Sequence, residues 1–364
     1  MLAMLIGSAS LYLLFQLLLA IGCFRIKKPN ISLYKDYYPL SLIIAAHNEE
    51  ENLKKNLKNW LELTYSAYEL IVVLDRCTDK SEEIVKQFQS QYPHLRYLSI
   101  DKLPHNWTGK KWALQKGIEA SRNVAFAFTD ADCQLEKEYL LHINALYAQA
   151  NELILGQGLY KKEPGFLNQF IRYETLYTAF QYLGAARLGI PYMGVGRNLS
   201  YTKAFYIETK GLKEISSRVS GDDDLLVNKY ARPHKTACMI GEGSRSYSEA
   251  KKDFKSWINQ KLRHLSASPA YSLKSKLFLS AFHLSHLLFY LALLFFLIFD
   301  RTLWLFWASY IGRISISWVI FLFVKKKLKD NSQLYLFPVL DLLYFIYNLS
   351  LVPIGLIQKR TAWS

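Results

Sequence analysis

Three stretches of this 364-residue chain, 2–24, 277–299 and 303–324, are almost wholly apolar, and each is about the length that spans a hydrocarbon core. Backbone placed in such a core must satisfy its own polar groups, so each run is expected to be a helix. A fourth run, 334–357, carries Pro338, Asp341, Asn348 and Pro353. It reads either as a kinked span or as a re-entrant, interface-lying segment. The first run has no basic segment ahead of it and no small-x-small site behind it, which argues against a cleaved signal. Arg25, Lys27 and Lys28 follow it, placing its C-terminal end and the domain beyond in the cytoplasm. By the same rule a fully crossing fourth run would put Lys359 and Arg360 outside, which favours the re-entrant or interfacial reading.

The net charge of +15 would suit a nucleic-acid binder, but its location argues otherwise. Much of it sits beside the apolar runs, at Lys274/Lys276 and Lys325/Lys326/Lys327/Lys329, where it meets anionic lipid headgroups. No nucleic-acid module is recognisable, so a membrane surface is the expected partner. The four cysteines (Cys23, Cys77, Cys133, Cys238) are far apart and have no CxxC spacing, which excludes a zinc or redox motif and fits reduced thiols.

Between the apolar ends the pattern is that of an α/β domain. Short apolar runs at 40–46, 69–74, 95–100 and 124–128 read as buried strands, and the stretches 49–61, 80–92 and 111–120 between them as helices. That alternation predicts a mainly parallel sheet. The second half is less regular. It reads as strands at 152–158, 192–201 and 236–240, an aromatic-rich helix at 166–188, a short helix at 222–230, and an amphipathic segment at 254–265 that leads into the membrane runs.

Several strand ends carry chemistry. The fourth strand stops at Asp130-Ala131-Asp132. At the carboxyl edge of an open sheet two such oxygen ligands suit Mg²⁺ or Mn²⁺ on a substrate diphosphate, although a helix cap would use the same residues. The second strand stops at Asp75, where a carboxylate can accept from a nucleobase or ribose, or close an Asx turn. The first stops before His47-Asn48-Glu49-Glu50; His47 reads as a loop histidine. Gly109-Lys110-Lys111 opens a helix and can cradle phosphate, but it lacks P-loop spacing. Asp222-Asp223-Asp224 sets three carboxylates side by side. A helix N-terminus favours one or two acids; a third points to a site, and one of them suits a general base. Gln260 and Arg263 share one face of the amphipathic segment, where an arginine can neutralise a departing diphosphate or simply meet the interface.

Taken in order, these residues resemble family 2 glycosyltransferases, the membrane-bound enzymes of GT-A fold. The series Asp75, Asp130/Asp132, Asp222/Asp223/Asp224 and Gln260/Arg263 is similar to the family's Asp, Asp-x-Asp, acidic and Gln-x-x-Arg-Trp series. Ala46-His47-Asn48-Glu49-Glu50 looks like its opening block, and Trp107-Thr108-Gly109-Lys110 like a segment of ceramide-glucosyltransferase-like members. Pro338…Asp341-Leu342-Leu343 and Lys359-Arg360…Trp363 are fainter echoes of that subgroup's tail. Two departures stand out: His264 replaces the tryptophan, and the acidic element is all aspartate.

The resemblance implies an α/β, GT-A (Rossmann-like) cytosolic domain at 38–250 between an N-terminal helix at 1–26, an interface segment at 251–275 and a C-terminal membrane region at 276–364. It implies an inner-membrane enzyme that moves a sugar from a UDP-linked nucleotide donor to a lipid or lipid-linked hydroxyl, with inversion. Asp75 would hold the nucleotide base, with Asn48, Glu50, Lys110 and Asp130 also on the donor side. Asp132 and Asp130 would hold Mg²⁺ or Mn²⁺. Asp223 would be the base, beside Asp222, and Arg263 with Gln260 would meet the leaving diphosphate. Acceptor contacts would fall at Gly196, Arg197 and Asn198. A polyisoprenyl-phosphate glycosyltransferase and a catalytically inactive nucleotide-binding membrane protein are the alternatives.

Overall fold

The computed structural model describes residues 2–34, 38–218, 220–299 and 302–357, so the basic tail at Lys359, Arg360 and Trp363 lies outside the described residues. The strands are β1 (Leu40–Ala46), β2 (Tyr68–Asp75), β3 (Leu95–Ile100), β4 (Ala125–Phe128), β5 (Gln134–Leu135), β6 (Leu153–Gly156), β7 (Gly158–Tyr160), β8 (Leu199–Thr202), β9 (Thr236–Met239) and β10 (Ser246–Ser248). The helices are α1 (Leu2–Phe24), α2 (Glu50–Leu61), α3 (Ser81–Gln89), α4 (Gly109–Ala120), α5 (Tyr139–Tyr147), α6 (Phe166–Arg187), α7 (Lys203–Glu208), α8 (Asp224–Tyr230), α9 (Phe254–Leu265), α10 (Leu273–Phe299), α11 (Leu303–Leu328) and α12 (Phe337–Ile357). They form two compact units. One is built from Met1–Arg25, Lys162–Ile190 and Lys252–Gln358; the other is centred on Ile26–Lys161 and Pro191–Lys251.

The second unit is the α/β domain. Its main sheet has the order β3-β2-β1-β4-β8-β6-β9, in which β1, β2, β3 and β4 run parallel and β8 is antiparallel to both neighbours. The cause lies in the sequence: Leu40, Leu42, Ile43 and Ile44 of β1 are fully buried, as a strand covered on both faces must be. α2 lays Leu53, Leu57 and Trp60 on the same core. The chain reverses its order across the sheet at β1, between β2 and β4, which is where the crevice of such a sheet opens. A second, three-stranded sheet has the order β5-β10-β7.

Two expected strands change. The run 152–158 divides into β6 and the start of β7, which join different sheets, with Gln157 at the corner. The run 192–201 keeps only its end as β8. Ahead of it Gly196–Asn198 is a 3-10 turn, because the Gly196 N–H goes to a side chain rather than to a ladder. β5, α5 and β10 have no counterpart in the sequence reading.

The first unit contains four helices long and apolar enough to cross a membrane: Leu2–Phe24, Leu273–Phe299, Leu303–Leu328 and Phe337–Gly355. α6 belongs here too, so the expected 38–250 stretch is interrupted. Its aromatic stripe is buried: Tyr177 bonds Tyr12 of α1 and stacks on Tyr344 of α12. α1 and α6 touch backbone to backbone. A Cβ on Gly22 would come 2.2 Å from the Gly184 carbonyl oxygen, and one on Gly184 would come 2.6 Å from the Leu19 oxygen. Glu174 of α6 pairs with Lys261 of α9, both buried.

The polar residue that interrupts the fourth apolar run has a partner. Asp341 is fully buried, ion-paired to Arg313 of α11, and accepts from the Tyr290 hydroxyl of α10 at 2.8 Å. The Arg313 guanidinium lies 4.4 Å above the Tyr12 ring. α12 is one helix throughout, with Pro338 in its first turn, where a missing N–H costs nothing, and Pro353 inside it.

Asp341→Asn should lower the thermal stability of the detergent-solubilised protein by about 3 kcal/mol, because Arg313 is left as a buried, uncompensated charge. The double variant Asp341→Asn/Arg313→Met should recover much of the loss. Equal stability of the single variant and the wild type would show that the pair carries no structural load.

Candidate active site

β1, β2 and β4 are parallel, so their C-terminal ends meet on one edge of the sheet. That edge receives His47 to Glu49 from β1, Asp75 from β2 and Thr129 to Asp132 from β4. The loop between α7 and α8 adds Asp222 and Asp223, and Gly221 at φ +92° permits the turn into them.

Lys110, in the first turn of α4, joins the two acidic elements. Its Nζ lies 2.8 Å from Asp130 Oδ1 and 3.4 Å from Asp222 Oδ2. Burial disfavours that ammonium, but Asp130, Asp222 and Asp223 outweigh it and hold its pKa above the ordinary lysine value. Asp222 is likewise desolvated, yet Lys110 and Lys111 keep its carboxyl below the usual range. Asp223 goes the other way. Burial and the neighbouring Asp222 charge push it up to about 6. It accepts from the Gly196 N–H at 2.6 Å through one oxygen and from the Asp224 N–H at 2.7 Å through the other. A Cβ on residue 196 would sit 3.1 Å from the Asp223 oxygen, so a glycine suits that approach. Lys110, Asp130, Gly196, Tyr201, Asp222 and Asp223 line one cleft.

Asp130, Asp132 and Cys133 bring a ligand atom each within 4.8 Å of one another. The Cys133 thiol is buried and donates to Asp132 Oδ1 at 3.2 Å; burial and the Asp132 charge raise its pKa well above the ordinary value. The two carboxylates of this group are oxygen donors that suit a hard cation such as Mg²⁺ or Mn²⁺. Glu49 adds a further acid here, its carboxyl raised by burial and by Asp132 and Asp130. Arg197 stands nearby, stacked 4.2 Å over Tyr160 and donating to Ser248 Oγ at 2.5 Å and to the Gly158 oxygen at 3.1 Å.

Asp75 ends β2 fully buried, both carboxylate oxygens taken by the Arg76 guanidinium at 2.9 and 2.8 Å. Arg76 has φ +50°, a conformation rare for arginine. Its side chain is 35% exposed and covers Asp75 from solvent. The His47 Nδ1–H donates to the Asp75 carbonyl at 2.5 Å, so this loop histidine has an orienting partner that the sequence did not disclose.

Three expected contacts are used within the protein. Asn48 Oδ1 accepts from the Thr78 N–H at 2.8 Å, and the Glu50 carboxylate pairs with Lys54 and accepts from the Lys80 N–H at 3.4 Å. Together they clasp the loop after β1 to the loop after β2. The Asn198 side chain is turned inward. It is 1% exposed; its amide donates to the Gln157 oxygen at 2.8 Å and the Ser244 oxygen at 3.0 Å, and it accepts from the Tyr139 hydroxyl at 3.1 Å. Gln260 and Arg263 lie half-buried on α9 in the other unit.

Asn198→Ala should destabilise the α/β domain by about 1–3 kcal/mol, since it strands two buried carbonyls and a tyrosine hydroxyl. Turnover per folded molecule should stay within about threefold of wild type. An acceptor KM that rises while stability holds would restore Asn198 to the acceptor site.

Residues 41–205 match the family described as Glycosyl transferase family 2. The chain is 31% identical over 110 residues to a beta-monoglucosyldiacylglycerol synthase of a Nostoc species, a match covering 30% of this chain and 23% of that protein. It is 26% identical over 244 residues to the 4,4'-diaponeurosporenoate glycosyltransferase of Staphylococcus haemolyticus, covering 62% of this chain and 60% of that one. Both matches span less than two thirds of the relatives' own length. Among solved structures it is similar to the mannosyltransferase PcManGT of Pyrobaculum calidifontis, in complex with GDP-Man and Mn²⁺, with a TM-score of 0.59 and 14% identity over 95% of this chain and 99% of that one. The mixed, mainly parallel sheet with its acids on one edge is a GT-A fold, and residues 41–205 within it match the glycosyl transferase family 2 domain.

Proposed function

We propose that this protein transfers a sugar from a nucleotide-diphosphate donor to a hydroxyl of a lipid or lipid-linked acceptor, inverting the anomeric carbon, at the cytoplasmic face of the inner membrane. One observation carries the reading. Lys110 ties a metal-type carboxylate, Asp130, to an acidic element in which Asp223 has its carboxyl raised to about 6, all lining one cleft. A cation-phosphate end and a basic end side by side are what sugar transfer from a diphosphate requires.

In this reading Asp223 takes the proton of the attacking hydroxyl, and the two N–H groups it accepts from keep its oxygens aimed into the cleft. Asp132 and Asp130 would hold Mg²⁺ or Mn²⁺, which when bound neutralises charge on the diphosphate. Lys110, relieved of Asp130, turns its ammonium to the phosphates. Asp75 meets the nucleotide base, either after Arg76 swings aside or with the guanidinium sharing the contact. The GDP-Man and Mn²⁺ of PcManGT support a nucleotide sugar and a divalent cation as a class; UDP rests on the family resemblance alone. The glucosyldiacylglycerol synthase and the diaponeurosporenoate glycosyltransferase among the relatives, together with four apolar helices, support a lipid acceptor. α12 packs its later half on the amphipathic α9, with Tyr347 on Trp257 and Gly355 against Leu265, which favours an interfacial α12 over a fourth full span.

Asp223→Asn should reduce transfer at least about a thousandfold while nucleotide-sugar binding stays within a few-fold. Near-normal turnover would remove Asp223 from the mechanism. Because its carboxyl is raised, Asp223 is protonated below about pH 6 and ionised above it. kcat/KM should therefore fall as pH drops through about 6. Excess EDTA should abolish transfer and added Mn²⁺ restore it; full activity in EDTA would sink the Asp130/Asp132 assignment.

A further inference from the structure

The lysine after Lys110 points away from the carboxylates. Lys111 is fully buried, and its Nζ lies 2.8 Å from the Ile215 carbonyl, 2.5 Å from that of Arg218 and 3.0 Å from that of Ser220. These three carbonyls belong to the loop between α7 and α8 that ends at Asp222 and Asp223. Two more contacts hang the same loop from the start of α4. The Thr108 N–H donates to the Ser216 oxygen at 3.0 Å and its hydroxyl to the Arg218 oxygen at 3.4 Å.

We propose that Lys111 is a positioning residue: its ammonium gathers three loop carbonyls and so fixes where Asp222 and Asp223 stand relative to Lys110 and Asp130. The claim rests on the reading of Asp223 as the base. An ammonium suits the task because it has three N–H groups, and all three find an acceptor here. A guanidinium, planar and larger, cannot direct three donors from one point. Neighbouring lysines thus divide the work: Lys110 binds the carboxylates and Lys111 binds the backbone that delivers one set of them.

The charge of that ammonium is poised. Burial disfavours it, Arg218 and Lys110 add to the disfavour, Asp222 and Asp223 oppose it, and the balance brings its pKa down to about 8. Loss of the proton leaves two N–H groups for three carbonyls, which loosens the loop on the alkaline side.

The test is the pH profile and the kcat-against-KM split of Lys111→Met and Lys111→Arg in the full-length, detergent-solubilised protein, with Asp223→Asn alongside. Lys111→Met should lose about a hundredfold in kcat while donor KM stays within about threefold. Lys111→Arg should rescue little of it. Wild-type kcat should decline above about pH 8, and that limb should be gone in Lys111→Met. Hydrogen exchange should rise at 213–222 and be unchanged on β1 and β2. Wild-type kcat in Lys111→Met, or an unaltered alkaline limb, overturns the proposal. If Lys111→Met does not fold, the wild-type profile decides, and a flat response from pH 7 to 10 overturns it. The two readings fail separately. An active Asp223→Asn removes the base, whereas an inactive Asp223→Asn beside a normal Lys111→Met removes only the positioning role.

Discussion

The site depends on one ammonium group set among acids. Asp130, Asp132, Glu49, Asp222 and Asp223 come from three separate parts of the chain and converge on one sheet edge. Two carboxylates about 4 Å apart repel by roughly 4 kcal/mol at an effective dielectric of about 20. Lys110 reverses the sign of that interaction for Asp130 and Asp222 at once. It does so from the first turn of α4, which opens at Gly109. The two neighbouring acids are set apart: Lys110 holds Asp222 ionised, while burial and the Asp222 charge raise the carboxyl of Asp223 against the pull of the ammonium. A division between an electrostatic partner and a proton acceptor follows from burial acting together with that ion pair.

The sheet was legible because buried parallel strands must be apolar on both faces, as the run 40–46 is. The acids at strand ends were legible for the same reason: once the strands are placed, Asp75 and Asp130 can only be at their carboxyl edge. Contacts between distant segments were not. Nothing in the sequence around Asn198 distinguishes an amide facing a substrate from one whose every group is bonded inside, and Tyr139, Gln157 and Ser244 had first to be folded around it. The Arg76 cover on Asp75 was hidden because it needs an arginine at positive φ, which propensity argues against. β5 and β10, two and three residues long, fall below any periodicity that could announce them.

The membrane-type unit applies a similar rule under a harsher solvent. Three pairs of its buried polar residues are matched across helices: Arg313 with Asp341, Lys261 with Glu174, and Ser317 with Gln16 at 2.7 Å. A charge in such surroundings is tolerated when its partner arrives on another helix, so each pair specifies which helices must adjoin. The acid that made the fourth apolar run look interrupted is therefore what attaches α12 to α11 and α10.

The contact between Gly22 and Gly184 has a consequence for what the N-terminal helix is. With backbone against backbone, the helices meet along a line where neither tolerates even a methyl group. An anchor needs only apolarity and length, and any such helix would serve. This one is matched in shape to a helix that enters the chain some 160 residues later, and it cannot slide or turn against it without a collision. Exchanging residues 2–24 for a generic span of equal hydropathy would preserve attachment to the bilayer and lose the fit. By this criterion the helix is a component of the folded unit, inseparable from it, and not a tether.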